Sequence, residues 1–186
     1  LEALPVWGHV MAGGCRVIRT DDTAWPTWEI WVPKMSSEVI FPAASENDLR
    51  AHFDALRIEA GRPVFGVDMD TDTIPLEAGL LDRAISQTKG CYVGQEVIVR
   101  VLHRGGGRVA RRLMRLELAP EVVDVPVVPA PLFHEGKAGG TLTSAARSVT
   151  TGRIIGLGYV PRDLATVGQS VETAGPAPAR VAAFAG

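Results

Sequence analysis

The change to β-strand patterning begins with the sequence Arg111-Arg112-Leu113-Met114-Arg115-Leu116-Glu117-Leu118, in which apolar and charged side chains alternate. Further short β segments follow it, each separated from the next by glycines and prolines, at residues 122–128, 140–144, 154–160 and 180–184. Evenly spaced short strands with turn residues between them are typical of small barrels and sandwiches. We therefore expect residues 107–186 to form a small barrel or sandwich.

The region before residue 107 mixes strand and helix patterns. Residues 15–19 and 27–32 alternate as strands. Ser45 is a candidate helix N-cap, and Gly61 stands where that helix should stop, because apolar residues recur between them at helical spacing. A second helix is predicted over residues 92–102, ended by the glycines at 105–107. The sequence thus predicts an α+β domain at residues 1–106, a glycine hinge, and an all-β domain at residues 107–186.

The composition excludes several classes of protein. The 186 residues are 46% hydrophobic with a formal charge of −2, which excludes intrinsic disorder. No run approaches the roughly 18 apolar residues of a membrane span, so no membrane partner is expected. The two cysteines, Cys15 and Cys91, are far apart in sequence, which indicates a reducing, cytoplasmic location rather than a disulfide framework. The histidines lack metal-ligand spacing, so we expect no metal site.

Two loop motifs carry little functional signal. Residues 68–72 begin like a calcium loop, but Thr73 and Gly79 stand where that loop needs glycine and a bidentate glutamate. A solvated acidic loop is the better interpretation. The triplet at residues 105–107 matches a loose dinucleotide fingerprint, yet a strand rather than a helix is predicted to follow it.

Arginines cluster around the predicted hinge with no acidic residue among them. We single out Arg104 and Arg108 as anion-binding candidates, because such a patch can hold phosphates or a polyanionic tail. The alternative is a solvated surface or ion pairs with acids elsewhere in the fold. The slightly negative overall charge does not favour nucleic acid, so tRNA is the weaker of the candidate partners. The cluster comprises Arg100, Arg104, Arg108, Arg111, Arg112 and Arg115.

The segment Lys89-Gly90-Cys91-Tyr92-Val93-Gly94-Gln95-Glu96 is the most unusual in the chain. A cysteine beside a lysine and near a helix N-terminus feels positive potential, which favours its thiolate. Gln95 and Glu96 can bond a ligand or cap the helix. The alternative is that Cys91 is a small core residue and that the glycines only permit a tight turn.

This segment resembles the signature of the YgfZ-type folate-binding proteins, which are paralogues of the glycine cleavage T-protein, an aminomethyltransferase. The sequence Leu56-Arg57-Ile58-Glu59-Ala60-Gly61 is similar to the Leu-Arg-Leu-Glu-Ala-Gly segment of that superfamily. Residues 140–144 and 156–161 resemble its C-terminal barrel. The resemblance enters the superfamily part-way through its second domain, so we expect the chain to be its C-terminal portion, either as a fragment or as a shortened member.

The resemblance implies an α+β fold in which a partial ferredoxin-like α/β domain precedes a small antiparallel β-barrel. It implies tetrahydrofolate as the ligand, with Glu59 recognising the pteridine ring, since a carboxylate can accept two N–H bonds from its 2-amino-pyrimidinone edge. Cys91 matches the hallmark cysteine of the YgfZ type and is the candidate functional thiol. Further folate contacts are expected from Lys89, Tyr92, Gln95 and Glu96.

Three functions follow, and the sequence leaves open whether the protein is an enzyme. The first is a YgfZ-like tetrahydrofolate-binding accessory protein that supports iron–sulfur cluster assembly or repair and the tRNA modification that depends on it. Iron–sulfur client proteins would then be its partners. The alternative is an aminomethyltransferase of the T-protein type, transferring a one-carbon unit to tetrahydrofolate. The third is a thiol-dependent enzyme that uses Cys91 without folate.

Overall fold

The structure is a computed structural model that describes residues 1, 3–34, 45–104, 106–173 and 178–185. Within these ranges it contains a small antiparallel sheet, three helices and a closed barrel. The sheet strands are β1 His9–Ala12, β2 Cys15–Thr20 and β3 Thr27–Trp31, and the helices are α1 Glu46–Glu59, α2 Leu81–Ala84 and α3 Gln95–Val99, the last continuing into a π-helical turn at Arg100–Arg104. The barrel strands are β4 Arg111–Leu118, β5 Ala130–His134, β6 Lys137–Arg147, β7 Ile154–Pro161, β8 Ser170–Thr173 and β9 Pro178–Phe184.

The first sheet is a meander in the order β1-β2-β3. Its first turn is built on Gly13 and Gly14, whose φ angles of 57° and 79° suit a tight hairpin turn. The strands predicted at residues 15–19 and 27–32 are confirmed as β2 and β3. β1 was not predicted, because all four of its residues are exposed and no alternation of burial marks it.

Helix α1 begins and ends at the predicted signals. The Ser45 side chain accepts a bond from the Asp48 amide at 3.2 Å, and Gly61 follows the helix with a φ of 72°. Ala55 and Ile58 on its C-terminal half are buried, whereas Leu49 is 49% exposed. The C-terminal half of α1 therefore fixes the helix to the rest of the fold.

The barrel is closed in the order β4-β7-β6-β5-β8-β9 with every pair antiparallel, so the prediction of a small antiparallel β-barrel is confirmed. β7 is buried along nearly its whole length, because one of its faces points into the barrel and the other lies under α1. The barrel interior is filled chiefly by Met114, Leu116, Leu118, Leu132, Leu142, Ile154, Val160, Val171 and Val181. A second cluster between α1 and the barrel wall includes Ile58, Leu113, Ile155, Leu157 and Tyr159.

Other sequence predictions need correction. The strand expected at residues 122–128 is wrong: the segment is a turn and extended loop, in which Val123 and Val127 are 70% and 89% exposed. The prolines at 126 and 129 cannot donate ladder bonds, which explains the failure. The helix predicted at residues 92–102 begins only at Gln95 and changes to π-helical geometry at Arg100.

The observed elements agree with an α+β fold, while the ferredoxin-like assignment of residues 1–106 stays a prediction. Within the described residues, no helix combines the length and apolar character that crossing a bilayer requires. No group of three or more histidine, cysteine, aspartate or glutamate residues in the same part of the chain is arranged to hold a metal ion.

Candidate functional site

A buried ion pair joins α1 to the loop that follows it and to the barrel. The Arg57 guanidinium, 3% exposed, donates to Asp68 Oδ2 at 2.8 Å, and the Asp68 side chain is fully buried. Asp68 Oδ1 accepts bonds of 2.6 Å from the hydroxyls of Thr143 and Ser144 on β6. A buried charge pair is tolerated only when its remaining hydrogen-bonding groups are satisfied, and here they are.

The acidic loop is therefore only partly solvated, which corrects the sequence interpretation. Asp68 is a buried structural residue, whereas Asp70 and Asp72 are exposed. Hydrogen bonds from Thr73 and from the Asp72 amide hold the pKa of Asp70 below its ordinary value. The loop begins with a carboxylate that is locked to the barrel and continues into solvent.

The Glu59 carboxylate, the predicted pteridine-recognising group, faces the β6–β7 hairpin loop of the barrel. Its Oε1 accepts from the Ser148 hydroxyl at 2.6 Å and from the Thr150 amide at 3.0 Å, and its Oε2 accepts from the Thr150 hydroxyl at 3.0 Å. Partial burial raises the pKa of Glu59, but these hydrogen bonds outweigh burial, so its pKa lies below the ordinary value. The side chain is thus an anchored, ionised carboxylate.

A cleft of about 360 Å³ lies beside Glu59. Trp25, 56% exposed, lines it, so the cleft also touches the loop between β2 and β3. Arg115 is held at the other side, because one of its guanidinium nitrogens donates to the Glu59 carbonyl oxygen at 2.6 Å. The lining is completed by Ala24, Leu116, Glu117, Ser148, Thr150, Thr151, Ile155 and Ala182. The cleft thus combines an aromatic side chain, an ionised carboxylate and a guanidinium.

The segment at residues 89–96 is largely exposed and runs into α3, whose first two residues are Gln95 and Glu96. Cys91 is exposed and lies four residues before the first residue of α3. Gly94, with a φ of 84°, makes the left-handed turn into the helix. The Lys89 ammonium lies 4.7 Å from the centre of the Tyr92 ring. Cys91 is therefore not the small core residue of the alternative interpretation.

The remaining residues of this segment are held locally. The backbone N–H of Gln95 donates to the Tyr92 carbonyl oxygen at 3.2 Å, and the Glu96 carboxylate pairs with the Arg100 guanidinium at 2.8 Å. No hydrogen bond or ion pair found within the described residues joins residues 89–96 to Glu59. The structure therefore places the predicted folate contacts in two groups: Glu59 at the barrel, and Lys89, Tyr92, Gln95 and Glu96 with Cys91 at and just before the start of α3.

The arginine cluster is dispersed by the fold. Arg111 pairs with Glu77 at 2.9 Å and stacks over the Tyr159 ring at 4.5 Å. Burial raises the pKa of that tyrosine to about 12, although Arg111 opposes the shift. Arg108 is exposed, and Arg104 lies in the π-helical turn with its side chain outside the described part. Ion pairs with acids elsewhere, the alternative weighed from the sequence, account for Arg111.

Sequence reasoning missed the Arg57–Asp68 pair and the hairpin donors Ser148 and Thr150. One signal for Arg57 was present: it lies between Ala55 and Ile58, the two residues of α1 that pack on the barrel. A charged residue there implies a buried partner. No local signal identifies the hairpin donors, because they lie some ninety residues from α1 in the sequence.

Comparisons with known proteins agree with this architecture. Residues 111–184 match the family described as the glycine cleavage T-protein C-terminal barrel domain. An aminomethyltransferase from Synechocystis sp. is 35% identical over 181 residues, covering 92% of this chain and 47% of that protein. The mitochondrial dimethylglycine dehydrogenase of Homo sapiens is 29% identical over 163 residues, which are 83% of this chain and 18% of that protein.

A solved structure shows the same fold. The glycine cleavage system aminomethyltransferase T of Bartonella henselae superposes with a TM-score of 0.79 at 21% identity, covering 98% of this chain and 53% of that one. The chain spans about half the length of the aminomethyltransferases it matches. Together these findings support placing the chain in the C-terminal portion of the glycine cleavage T-protein superfamily, with residues 111–184 as its barrel domain.

Proposed function

We propose that this chain is the C-terminal portion of a folate-using aminomethyltransferase, in which a one-carbon unit passes from an aminomethyl-lipoyl carrier to tetrahydrofolate. The observation that carries the proposal is the match to an aminomethyltransferase, at 35% identity, along 92% of the chain. A similarity of that extent covers the helix and the cleft as well as the barrel. The transfer therefore ranks above the accessory function suggested by the signature at residues 89–96.

Glu59 is the proposed pteridine-recognising group. A carboxylate has roughly four lone-pair positions, and three of those on Glu59 are filled by the β6–β7 loop, which leaves acceptor capacity on Oε2. A single N–H bond to the ring is compatible with this arrangement. A bidentate contact requires one of the two bonds on Oε1, from the Ser148 hydroxyl or from the Thr150 amide, to open. The volume of the adjoining cleft, about 360 Å³, is in the range of small-molecule sites.

Binding of tetrahydrofolate to the 186-residue chain, measured by isothermal titration calorimetry, tests this assignment. We expect saturable binding that weakens about tenfold in Glu59→Gln, because one hydrogen bond to a charged acceptor is lost. Glu172→Gln is the matched control, since Glu172 is an exposed glutamate on β8 away from the cleft. Absence of binding to the wild-type chain, or equal weakening in both variants, contradicts the role of Glu59.

A second function is favoured by one observation, the exposure of Cys91 within the segment that resembles the YgfZ-type signature. In that reading the protein is a tetrahydrofolate-binding accessory factor for iron–sulfur proteins and for dependent tRNA modification. Lys89, Tyr92, Gln95 and Glu96 would contact the folate. An exposed thiol is available to a partner protein, which a core cysteine is not.

The two functions differ in what Cys91→Ser does. The assay measures methylene-tetrahydrofolate formed from the aminomethyl-lipoyl carrier protein, with the chain as the only source of T-protein activity. Transfer that survives Cys91→Ser supports the aminomethyltransferase. Tetrahydrofolate binding without any transfer, combined with loss of iron–sulfur enzyme activity in cells that carry Cys91→Ser, supports the accessory factor instead.

A further inference from the structure

A second cleft, of about 510 Å³, lies on the outer face of the barrel. It runs over β4, β9 and the start of β8, and it adjoins the cleft beside Glu59, because Arg115, Glu117 and Ala182 line both. Leu116 and Val181 on the same strands point into the barrel and are fully buried. The side chains that alternate with them therefore face the cleft.

This arginine cleft carries an excess of positive charge. Arg115, Arg153 and Arg180 line it together with a single acidic residue, Glu117. Arg153 is paired with Glu117, which neutralises one of the three cations. The sequence between β8 and β9, residues 174–177, contains no charged side chain that would compensate the others.

Arg180 is the cation most available to a ligand. It stands directly opposite Glu117 in the β4–β9 register and opposite Ser170 in the β8–β9 register. Its side chain is exposed, and within the described residues no hydrogen bond or ion pair is found for it. Arg115 uses one donor on the Glu59 carbonyl oxygen, and a guanidinium has five.

We propose that the arginine cleft binds an extended ligand that carries two or more anionic groups, carboxylates or phosphates. Adjacent strands are about 4.8 Å apart and residues two apart on one strand about 6.8 Å, so the arginines present their charges roughly 5–10 Å from one another. A ligand with anionic groups at that spacing engages two guanidinium forks at once. A single small anion engages only one. The Ser170 hydroxyl supplies a further donor at the edge of the cleft.

Two oligoanions titrated into the full chain at low ionic strength test the proposal and separate the sources of the charge. Hexaglutamate presents carboxylates and tripolyphosphate presents phosphates, while acetate and inorganic phosphate serve as the comparisons with a single anionic group. We expect saturable binding of at least one oligoanion, weakened about tenfold in Arg180→Gln. Arg162→Gln is the matched control, because Arg162 is exposed and lies outside the cleft.

The titrations decide whether the arginine cleft binds oligoanions and which anionic group it prefers. Binding of hexaglutamate alone assigns a carboxylate ligand, binding of tripolyphosphate alone assigns a phosphate ligand, and binding of both assigns a general oligoanion site, provided that Arg180→Gln weakens it. No saturable binding of either, binding that Arg180→Gln does not weaken, equal weakening in Arg162→Gln, or equal affinity for acetate or inorganic phosphate overturns the proposal. The titrations contain no folate, so they are independent of the proposed transfer reaction.

Discussion

Replacing Asp68 with asparagine is expected to destabilise the fold strongly, although the two side chains have nearly the same shape. The substitution leaves no cavity, so the transfer and cavity costs of a core mutation do not arise. The new amide can turn its oxygen towards the Arg57 guanidinium and the Val64 amide, which only donate, and its nitrogen towards the hydroxyls of Thr143 and Ser144, which can also accept. What remains is the loss of the negative charge opposite a buried cation.

The loss of this negative charge determines how far the free energy of unfolding of Asp68→Asn falls. Breaking a buried ion pair by removing one partner costs about 3–5 kcal/mol, because the other charge stays desolvated. Since the asparagine keeps the hydrogen bonds, we expect the lower end, about 3 kcal/mol. Asp54 offers a matched control: its carboxylate bonds the same guanidinium, at 2.6 Å, but is 48% exposed. Asp54→Asn should therefore cost less than about 1 kcal/mol.

Urea denaturation of the wild-type chain and of both variants, followed by far-UV circular dichroism, measures the difference in the free energy of unfolding. We expect Asp68→Asn to be more destabilised than Asp54→Asn by about 2 kcal/mol or more. If the two aspartates cost the same, burial does not govern the energetics of this network. If Asp68→Asn lies within about 1 kcal/mol of the wild type, the buried pair is not what locks α1 to the barrel.

The other predictions concern the barrel and its contact with α1. Hydrogen bonds keep the folded pKa of Glu59 below its ordinary value, so its contribution to stability is complete above the ordinary glutamate pKa and is lost as the pH falls through the lowered folded pKa. The free energy of unfolding of Glu59→Gln should fall less steeply over that range, and an identical pH profile would count against the hairpin anchor. A Cβ on Gly140, at a φ of 134°, would stand 2.0 Å from the Tyr159 carbonyl oxygen, so Gly140→Ala should disrupt the barrel, whereas Gly152→Ala, with open space around it, should cost about 1 kcal/mol. Tyr159→Phe should leave thermal stability unchanged or raise it, because within the described residues the buried hydroxyl has no hydrogen-bond partner, and a loss above about 1 kcal/mol would show that it has one.

The sequence predicted those parts of the fold whose signals are local. The cap at Ser45 and the stop at Gly61 fixed α1, and alternation in residues 111–118 marked β4. The valines at residues 122–128 produced a wrong strand prediction, because β-branched residues favour strands while the neighbouring prolines cannot join a ladder. The short strand β8 carries too few residues for a periodic signal.

The candidate site was only partly accessible to sequence reasoning. Glu59 was selected by its motif, but the hydroxyl groups that bind it lie some ninety residues further along the chain. The fold separates the arginines that cluster in the sequence. Arg111 pairs with the Glu77 carboxylate, whereas Arg115 donates to the Glu59 carbonyl oxygen. Clustering in sequence does not place these side chains together, because Arg111 and Arg115, although on the same face of β4, lie four residues and about 13 Å apart along the extended strand.

Closure of the barrel by β4 and β9 has a consequence for biosynthesis. β4 is the first barrel strand to leave the ribosome and β9 the last, and they pair along five registered positions. Until β9 emerges, one edge of β4 lacks its ladder partner, and its leucines have no complete interior to enter. The nascent chain therefore exposes an unpaired strand edge, which can pair with other chains, for as long as the rest of the barrel is being translated. Premature termination before β9 should yield an aggregating product rather than a smaller stable domain.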